Sequence, residues 1–256
     1  MIAVAGDDGR GRRSLGASTW PEVDATAPIV VVPLGSCEQH GPHLPLDTDT
    51  LVAVALADAL VAGVGDLEGV PLLVAPPLAV TASGEHAGFP GTLSIGTTAL
   101  ELVLVELVRS ADWARGVVFV NGHGGNVVPL RAAVERCGAE GRRALAWWPA
   151  VPGGDAHAGR TETSLLLVIA PERVRLGSAA AGHTGDLREV LPALRRDGVR
   201  AVSPNGVLGD PAGASADEGR QLFDSLVADL AVRVRRWWGL EDEPGDGRHD
   251  GTGTVP

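Results

Sequence analysis

The 256-residue sequence has no lysine and no tyrosine, and only three phenylalanines beside six tryptophans. Without lysine, neither Schiff-base catalysis nor the phosphate-gripping lysine of a P-loop is available, and all 21 basic side chains are arginine. With so few aromatics, the core has to be packed by Leu, Val, Ala and Ile. The two cysteines, Cys37 and Cys137, cannot make a disulfide framework, which points to a reducing compartment. Positive charge is short as well: 32 acidic residues give a net charge of −11, which argues against nucleic acid as a partner because a polyanion needs a basic stripe. No apolar run reaches the ~18 residues that cross a bilayer. Asp7, Asp8 and a Gly/Arg-rich run stand where a signal peptide would carry its apolar core. These absences predict a cytoplasmic protein with no membrane partner.

What is present is 45% apolar residue content, enough for a buried core in one large domain. Residues 1–18 read as a flexible lead, 19–240 as a single catalytic domain, and the polar, Gly-rich 241–256 as a disordered tail whose His249 carries no role. Within the domain, short β-branched runs alternate with helical patterns. Strands are expected at Ile29–Leu34, Pro71–Ala75, Val117–Val120 and Ala144–Trp148. Helices are expected at Thr50–Leu60, Thr97–Ala111, Asn126–Cys137, Thr161–Ala170 and Ser215–Trp238, the last opened by capping-box spacing of Ser215 and Glu218. Such alternation predicts an α/β fold with a mainly parallel sheet covered on both faces, and ligands at the carboxyl ends of its strands.

Polar residues crowd at those ends. After the first strand runs Gly35-Ser36-Cys37-Glu38-Gln39-His40-Gly41-Pro42-His43, followed by Asp47-Thr48-Asp49. Residues two apart on an extended chain point the same way, so Glu38 and His40 can meet at one metal, and a stiff Gly/Pro loop can return Asp49 to it as a bridge. The plainer reading makes Asp47, Thr48 and Asp49 helix caps. His43 suits outer-shell support, and a Cys37 thiol with His40 or His43 as base is a rival chemistry. After the third strand, Asn121-Gly122-His123-Gly124-Gly125-Asn126 offers His123 as a ligand; a phosphate cradle is the weaker alternative. In Asp155-Ala156-His157-Ala158-Gly159-Arg160-Thr161-Glu162, both His157 and Glu162 can enter the same cleft, although Glu162 would also suit a helix dipole. Arg160 is either a grip for a substrate carboxylate or a solvated helix-start residue. Gly84-Glu85-His86 lies in a loop lining the pocket, with both side chains ranked low as ligands because neighbours on an extended chain diverge.

Taken together, these four ordered motifs resemble the creatininase (creatinine amidohydrolase) family over residues 29–170 or so. Leu44-Pro45-Leu46-Asp47-Thr48-Asp49-Thr50 and Val207-Leu208-Gly209-Asp210-Pro211 make the chain more similar to the branch that trims a ribosomal precursor peptide. The resemblance implies a three-layer α/β/α sandwich, a homo-oligomer (usually a hexamer), and two divalent metals, zinc or iron first and manganese also suitable. It implies Glu38 and His123 on one metal, His40 on the other and Asp49 between them. Creatinine-hydrolysing relatives carry a Glu where this chain has Gly125 and a substrate-covering Trp where it has Gly153. Glu162 is therefore expected to supply the missing ligand, and a modified precursor peptide is expected as substrate in place of creatinine. His157 and Glu162 are the expected catalytic pair; Glu85, His86, Gly124, Gly125 and Arg160 are the expected substrate contacts. A cyclic-amide or formamide hydrolase and a metal-free scaffold are the competing functions.

Overall fold

A computed structural model describes residues 13–240. The expected tail at 241–256 lies outside the described residues, as does most of the expected lead. Residues 13–18 are structured: Val74 N–H donates to Arg13 O at 2.8 Å and Ser14 bridges Val74, so the ordered chain begins before position 19. In chain order the elements are α1 (Trp20–Asp24), β1 (Ile29–Leu34), α2 (Thr48–Val64), β2 (Asp66–Leu67), β3 (Val70–Val74), α3 (Thr97–Ser110), β4 (Gly116–Asn121), α4 (Val127–Ala139), β5 (Ala144–Trp147), α5 (Arg160–Ile169), α6 (Leu187–Asp197), α7 (Val199–Val202) and α8 (Ala216–Trp238).

The sheet runs β2-β3-β1-β4-β5, parallel except for the β2–β3 hairpin. All six residues of β1 and of β4 are buried, as a central parallel strand covered on both faces requires. Their side chains alternate between two cores. Ile29, Val31, Val118 and Val120 pack under α2, α5 and α8 with Leu56, Leu60 and Leu166; Val30, Val32, Val117 and Phe119 pack under α3 and α4 with Leu100, Leu104 and Leu130. The three-layer α/β/α sandwich with a mainly parallel sheet is the fold the chain adopts. Burying a side chain such as Leu56, which is fully enclosed, contributes roughly 1.5–3 kcal/mol.

One close approach fixes the functional end of the sheet. A Cβ at Gly122 would sit 2.4 Å from Asp49 O, so only glycine lets the end of β4 touch the first turn of α2. That helix starts two residues before the expected Thr50, and its opening is not capped by a side chain. Asp47 instead forks onto Arg173 at 2.7 and 3.0 Å, and Thr48 donates to Pro45 O at 2.7 Å. Ser215 does cap α8, but Glu218 does not complete the expected box, because its carboxylate is taken by Arg160 and Ser164 at 2.8 Å each. The helices α6 and α7 have no counterpart in the sequence-based assignment.

Candidate metal centre

Four strand ends and the start of α5 deliver the polar residues to one place. Beyond β1, the carbonyl of Glu38 lies 3.1 Å from His40 Nδ1, which leaves His40 Nε2 facing Asp49 Oδ1 at 3.0 Å. Asp49 hangs from the first turn of α2. Its second oxygen accepts from Ser36 Oγ at 2.7 Å and lies 3.2 Å from His123 Nδ1. One carboxylate thus spans His40 and His123, the placement expected of a bridge.

Glu38 is fully buried, yet neither of its oxygens accepts a hydrogen bond among the described residues. His123 Nε2 at 3.2 Å and His86 Nε2 at 3.3 Å come within ion-pair range without hydrogen-bond geometry. Burial pushes the Glu38 carboxyl up to about 8, against His123, which pulls it down, and with Asp49, which adds to the rise. A buried carboxylate with no donor is costly unless a cation meets it. The donor atoms of Glu38, His40 and Asp49 lie within 4.8 Å of one another, as do those of Glu38, Glu85 and His123 and those of His40, His157 and Glu162.

The protons compensate the acids. Burial opposes charge on His40, but Asp49, Glu162 and Glu38 outweigh it and hold that ring up to about 10. His123 is raised in the same way, against burial, by Glu38, Asp49 and Glu85. Asp49 is held well below the carboxylate range, because His40 and His123 overcome its burial. Burial lifts Glu162 to about 7. Its Oε2 accepts the Ala158 N–H at 2.6 Å and lies 3.9 Å from His40 Nε2. Ala158, with φ +52°, spends strain to make that turn between His157 and Gly159.

His86 and His157 are the neutral rings. Burial lowers His86 to about 4, and burial with the neighbouring His40 and His86 lowers His157 strongly. Gln39 sets their tautomers. Its Oε1 accepts from Gly41 N–H at 2.9 Å, so its amide nitrogen faces Gly206 O at 3.0 Å and His86 Nδ1 at 2.8 Å. Gln39 Nε2 also lies 3.0 Å from His157 Nε2, but Gln39 O, 2.8 Å from that same nitrogen, can only accept, so His157 Nε2 is the donor there. His157 Nδ1 is then a bare nitrogen, 3.7 Å from Glu38 Oε1. The backbone of His157 also pairs both ways with Leu208, at 2.9 and 3.2 Å. Gln39 and the 206–208 segment escaped the sequence reading as parts of the site. The available signal was the exposed-looking Gln between two ligand candidates, directed to the other face and hence behind the histidines.

Other expectations meet mixed outcomes. Glu85 and His86 were ranked low on the assumption of extended chain, but Gly84–His86 is a 3-10 turn, so both reach inward: Glu85 Oε1 is 3.4 Å from His123 Nε2. Glu85 also explains Gly125. A Cβ there would lie 2.4 Å from Glu85 Oε1 and 2.4 Å from His123 Nε2, so the space a side chain would need is filled. His43 meets the hydroxyl of Thr163, the neighbour of Glu162 in α5, at 2.9 Å. Cys37 turns away to Gly91 O at 3.6 Å, as the residue beside Glu38 on an extended chain must, so the thiol rival fails. Arg160 pairs with Glu218 at 2.8 Å on the outer flank of α5, apart from the cavity. Asn126 ties the ends together by donating to Gly35 O at 2.9 Å and accepting from Ala82 N–H at 3.2 Å. A cavity of about 760 Å³ opens onto the cluster, lined by Asp49, His123, His157 and Glu162 and by residues of α6; Gly124 and Gly125 form part of its wall.

A family model described as creatinine amidohydrolase matches residues 16–234. The mycofactocin precursor peptide peptidase of Mycolicibacterium smegmatis is 53% identical over 225 residues, covering 87% of this chain and 91% of that protein. The protein of the same name from Mycobacterium tuberculosis is 53% identical over 230 residues, with 87% and 91% covered. Among solved structures, a manganese creatininase superposes with a TM-score of 0.70 at 25% identity, covering 87% of this chain and 97% of that one. A mutant creatininase of Zn-Zn type gives 0.70 at 25%, with 87% and 96% covered.

Proposed function

The chain belongs to the creatininase family, and from that premise we propose that it is the peptidase that trims a mycofactocin precursor peptide, releasing the modified Val-Tyr end by metal-dependent hydrolysis of a C–N bond. The observation that carries the metal dependence is Glu38, a fully buried carboxylate whose two oxygens make no well-formed hydrogen bond among the described residues, facing His123 and neighbouring Asp49. Glu38, Asp49 and His123 would hold one divalent cation, and His40, Asp49 and Glu162 the other. Glu162 takes the final place because its Oε2 stands 3.9 Å from His40 Nε2, whereas Glu85, which fills the space beside Gly125, stands with Glu38 and His123. The mixed imidazole and carboxylate donors suit zinc, iron or manganese.

When bound, two such cations supply an acidified water and polarise the scissile carbonyl. The chain's own groups do the rest. His157 Nδ1, kept bare because Nε2–H is committed to Gln39 O, takes a proton from the attacking water and returns it to the departing amine nitrogen. Gly124 and Gly125 line the cavity, and their N–H groups would be the donors for negative charge developing on the carbonyl oxygen. The cavity has the volume of a small-ligand site and admits a peptide end. By its likeness to the family, we expect the chain to work as a homo-oligomer, a hexamer, in the cytoplasm.

The test incubates metal-loaded protein with processed precursor peptide and, separately, with creatinine, followed by mass analysis. Release of the C-terminal dipeptide with creatinine left intact is the expected result. Ring opening of creatinine without peptide cleavage would assign the cyclic-amide alternative, and absence of bound metal would favour the scaffold.

A further inference from the structure

The cavity that the metal donors line is also walled by the helix α6, which contributes Leu191, Leu194 and Arg195; Leu194 and Arg195 stand three and four residues after Leu191 and so share its face. The other lining side chains with formal charge are mainly acids: Asp49, Glu85, Glu162 and Asp197. Asp49 and Glu162 are committed to the cations and Asp197 to Arg196, so a substrate carboxylate is left to pair with an arginine on this wall. Of the arginines nearby, Arg196 is bound to Asp197 at 2.6 and 3.0 Å, and Arg200 donates to Gly88 O at 2.6 Å and lies 5.6 Å over the Phe89 ring. Arg160 is held by Glu218 outside the cavity. Arg195 lines the cavity and has no ion pair or hydrogen bond among the described residues.

We propose that Arg195 receives a carboxylate of the bound peptide, while Leu191 and Leu194 form an apolar shelf for the adjoining side chain. The inference rests on the peptidase reading and assigns its specificity contact. A guanidinium offers a planar fork that pairs with a carboxylate through two parallel N–H···O bonds, and an unpaired one on a cavity wall is poised to do so. The carboxylate has two possible sources: the peptide's C-terminus, or an acidic side chain on the amino side of the cut.

The experiment measures kcat and KM of wild type, Arg195→Gln and Arg195→Lys on the processed precursor peptide. It then measures Ki for three synthetic competitors of the peptide's C-terminal sequence: free acid, C-terminal amide, and a version with upstream Asp and Glu replaced by Asn and Gln. Arg195→Gln is expected to raise KM roughly 10- to 100-fold, the effect of losing a charge-assisted pair, with kcat within about twofold and partial recovery in Arg195→Lys. One neutralised competitor should bind wild type as weakly as the free acid binds Arg195→Gln, and that competitor names the source. Wild-type cleavage with unchanged KM in Arg195→Gln, or equal losses for all three competitors, overturns this inference alone. No cleavage by the wild type overturns the peptidase reading and this inference with it.

Discussion

The two walls of the cavity are built on opposite terms. On the sheet side, Glu38, His40, Asp49 and His123 are at most 5% exposed, and each stands on a chain segment tied to a strand end by Ser36, Asn126 or Gln39. In the wall that α6 contributes, no residue is buried among those whose burial is described, and the helix packs chiefly on α7 and the Gly84–His86 turn. Groups that hold charge and move protons need fixed geometry and low dielectric, and they get both from the sheet. A wall that selects a substrate needs only a face, and a lightly held amphipathic helix supplies one that can change without disturbing the chemistry.

The largest effect should come from the sheet side. His157→Ala is expected to keep its metal content and lose roughly 10²- to 10⁴-fold in kcat, the range for a removed general acid–base group. Full activity in that variant would take His157 out of the mechanism and blur the contrast between the walls. Gln39→Leu comes next. It leaves the donors to metal in place but frees the tautomers of His86 and His157, so kcat should fall about 10- to 100-fold with little change in KM. A loss confined to KM would mean that Gln39 serves substrate binding.

A third effect follows from the protons on the sheet wall. In the metal-free protein His40 is held up to about 10 and Glu38 up to about 8, so at neutral pH both carry protons that a cation must displace. Metal binding should therefore release protons, and its affinity should fall as pH drops below about 10, where His40 takes up its proton, and more steeply below about 8, where Glu38 does, by up to tenfold per unit for each proton displaced. Calorimetry in buffers of different ionisation enthalpy checks this; a pH-independent affinity between 6 and 8, about two units in all, would contradict it. The smallest effect belongs to α6. Leu191→Ala should raise KM a few-fold and shift stability by under about 1 kcal/mol, whereas Leu56→Ala in the core should cost roughly 2–5 kcal/mol. Equal destabilisation by the two would show α6 to be as firmly built as the sheet.

The same contrast governs what was legible in the sequence. The strands β1 and β4 and the residues Glu38, His40, Asp49 and His123 stand out because β-branched runs end abruptly in Gly, His and acid, a pattern of local spacing. The inward reach of Glu85 and His86 was hidden because it depends on a 3-10 turn, which no extended-chain argument yields. Gln39 was hidden because its partners, His86, His157 and Gly206, are 47, 118 and 167 residues away. Helix α6 was missed because its pattern is interrupted by Pro192 and rich in Arg, so it resembles a polar linker until the cavity beside it is seen. The carboxylate of Asp47, read as a helix cap, is bound instead by Arg173, a tertiary partner 126 residues on.

The central claim is that strand-end carboxylates and imidazoles are arranged around a pair of cations, with Asp49 between them. Elemental analysis of wild type and Asp49→Asn, each reconstituted with excess zinc or manganese and dialysed, tests it most directly. The account predicts about two ions per wild-type chain and a loss of at least one in Asp49→Asn, since the bridge touches both His40 and His123. Two tightly held ions in the variant, or none in the wild type, would contradict it.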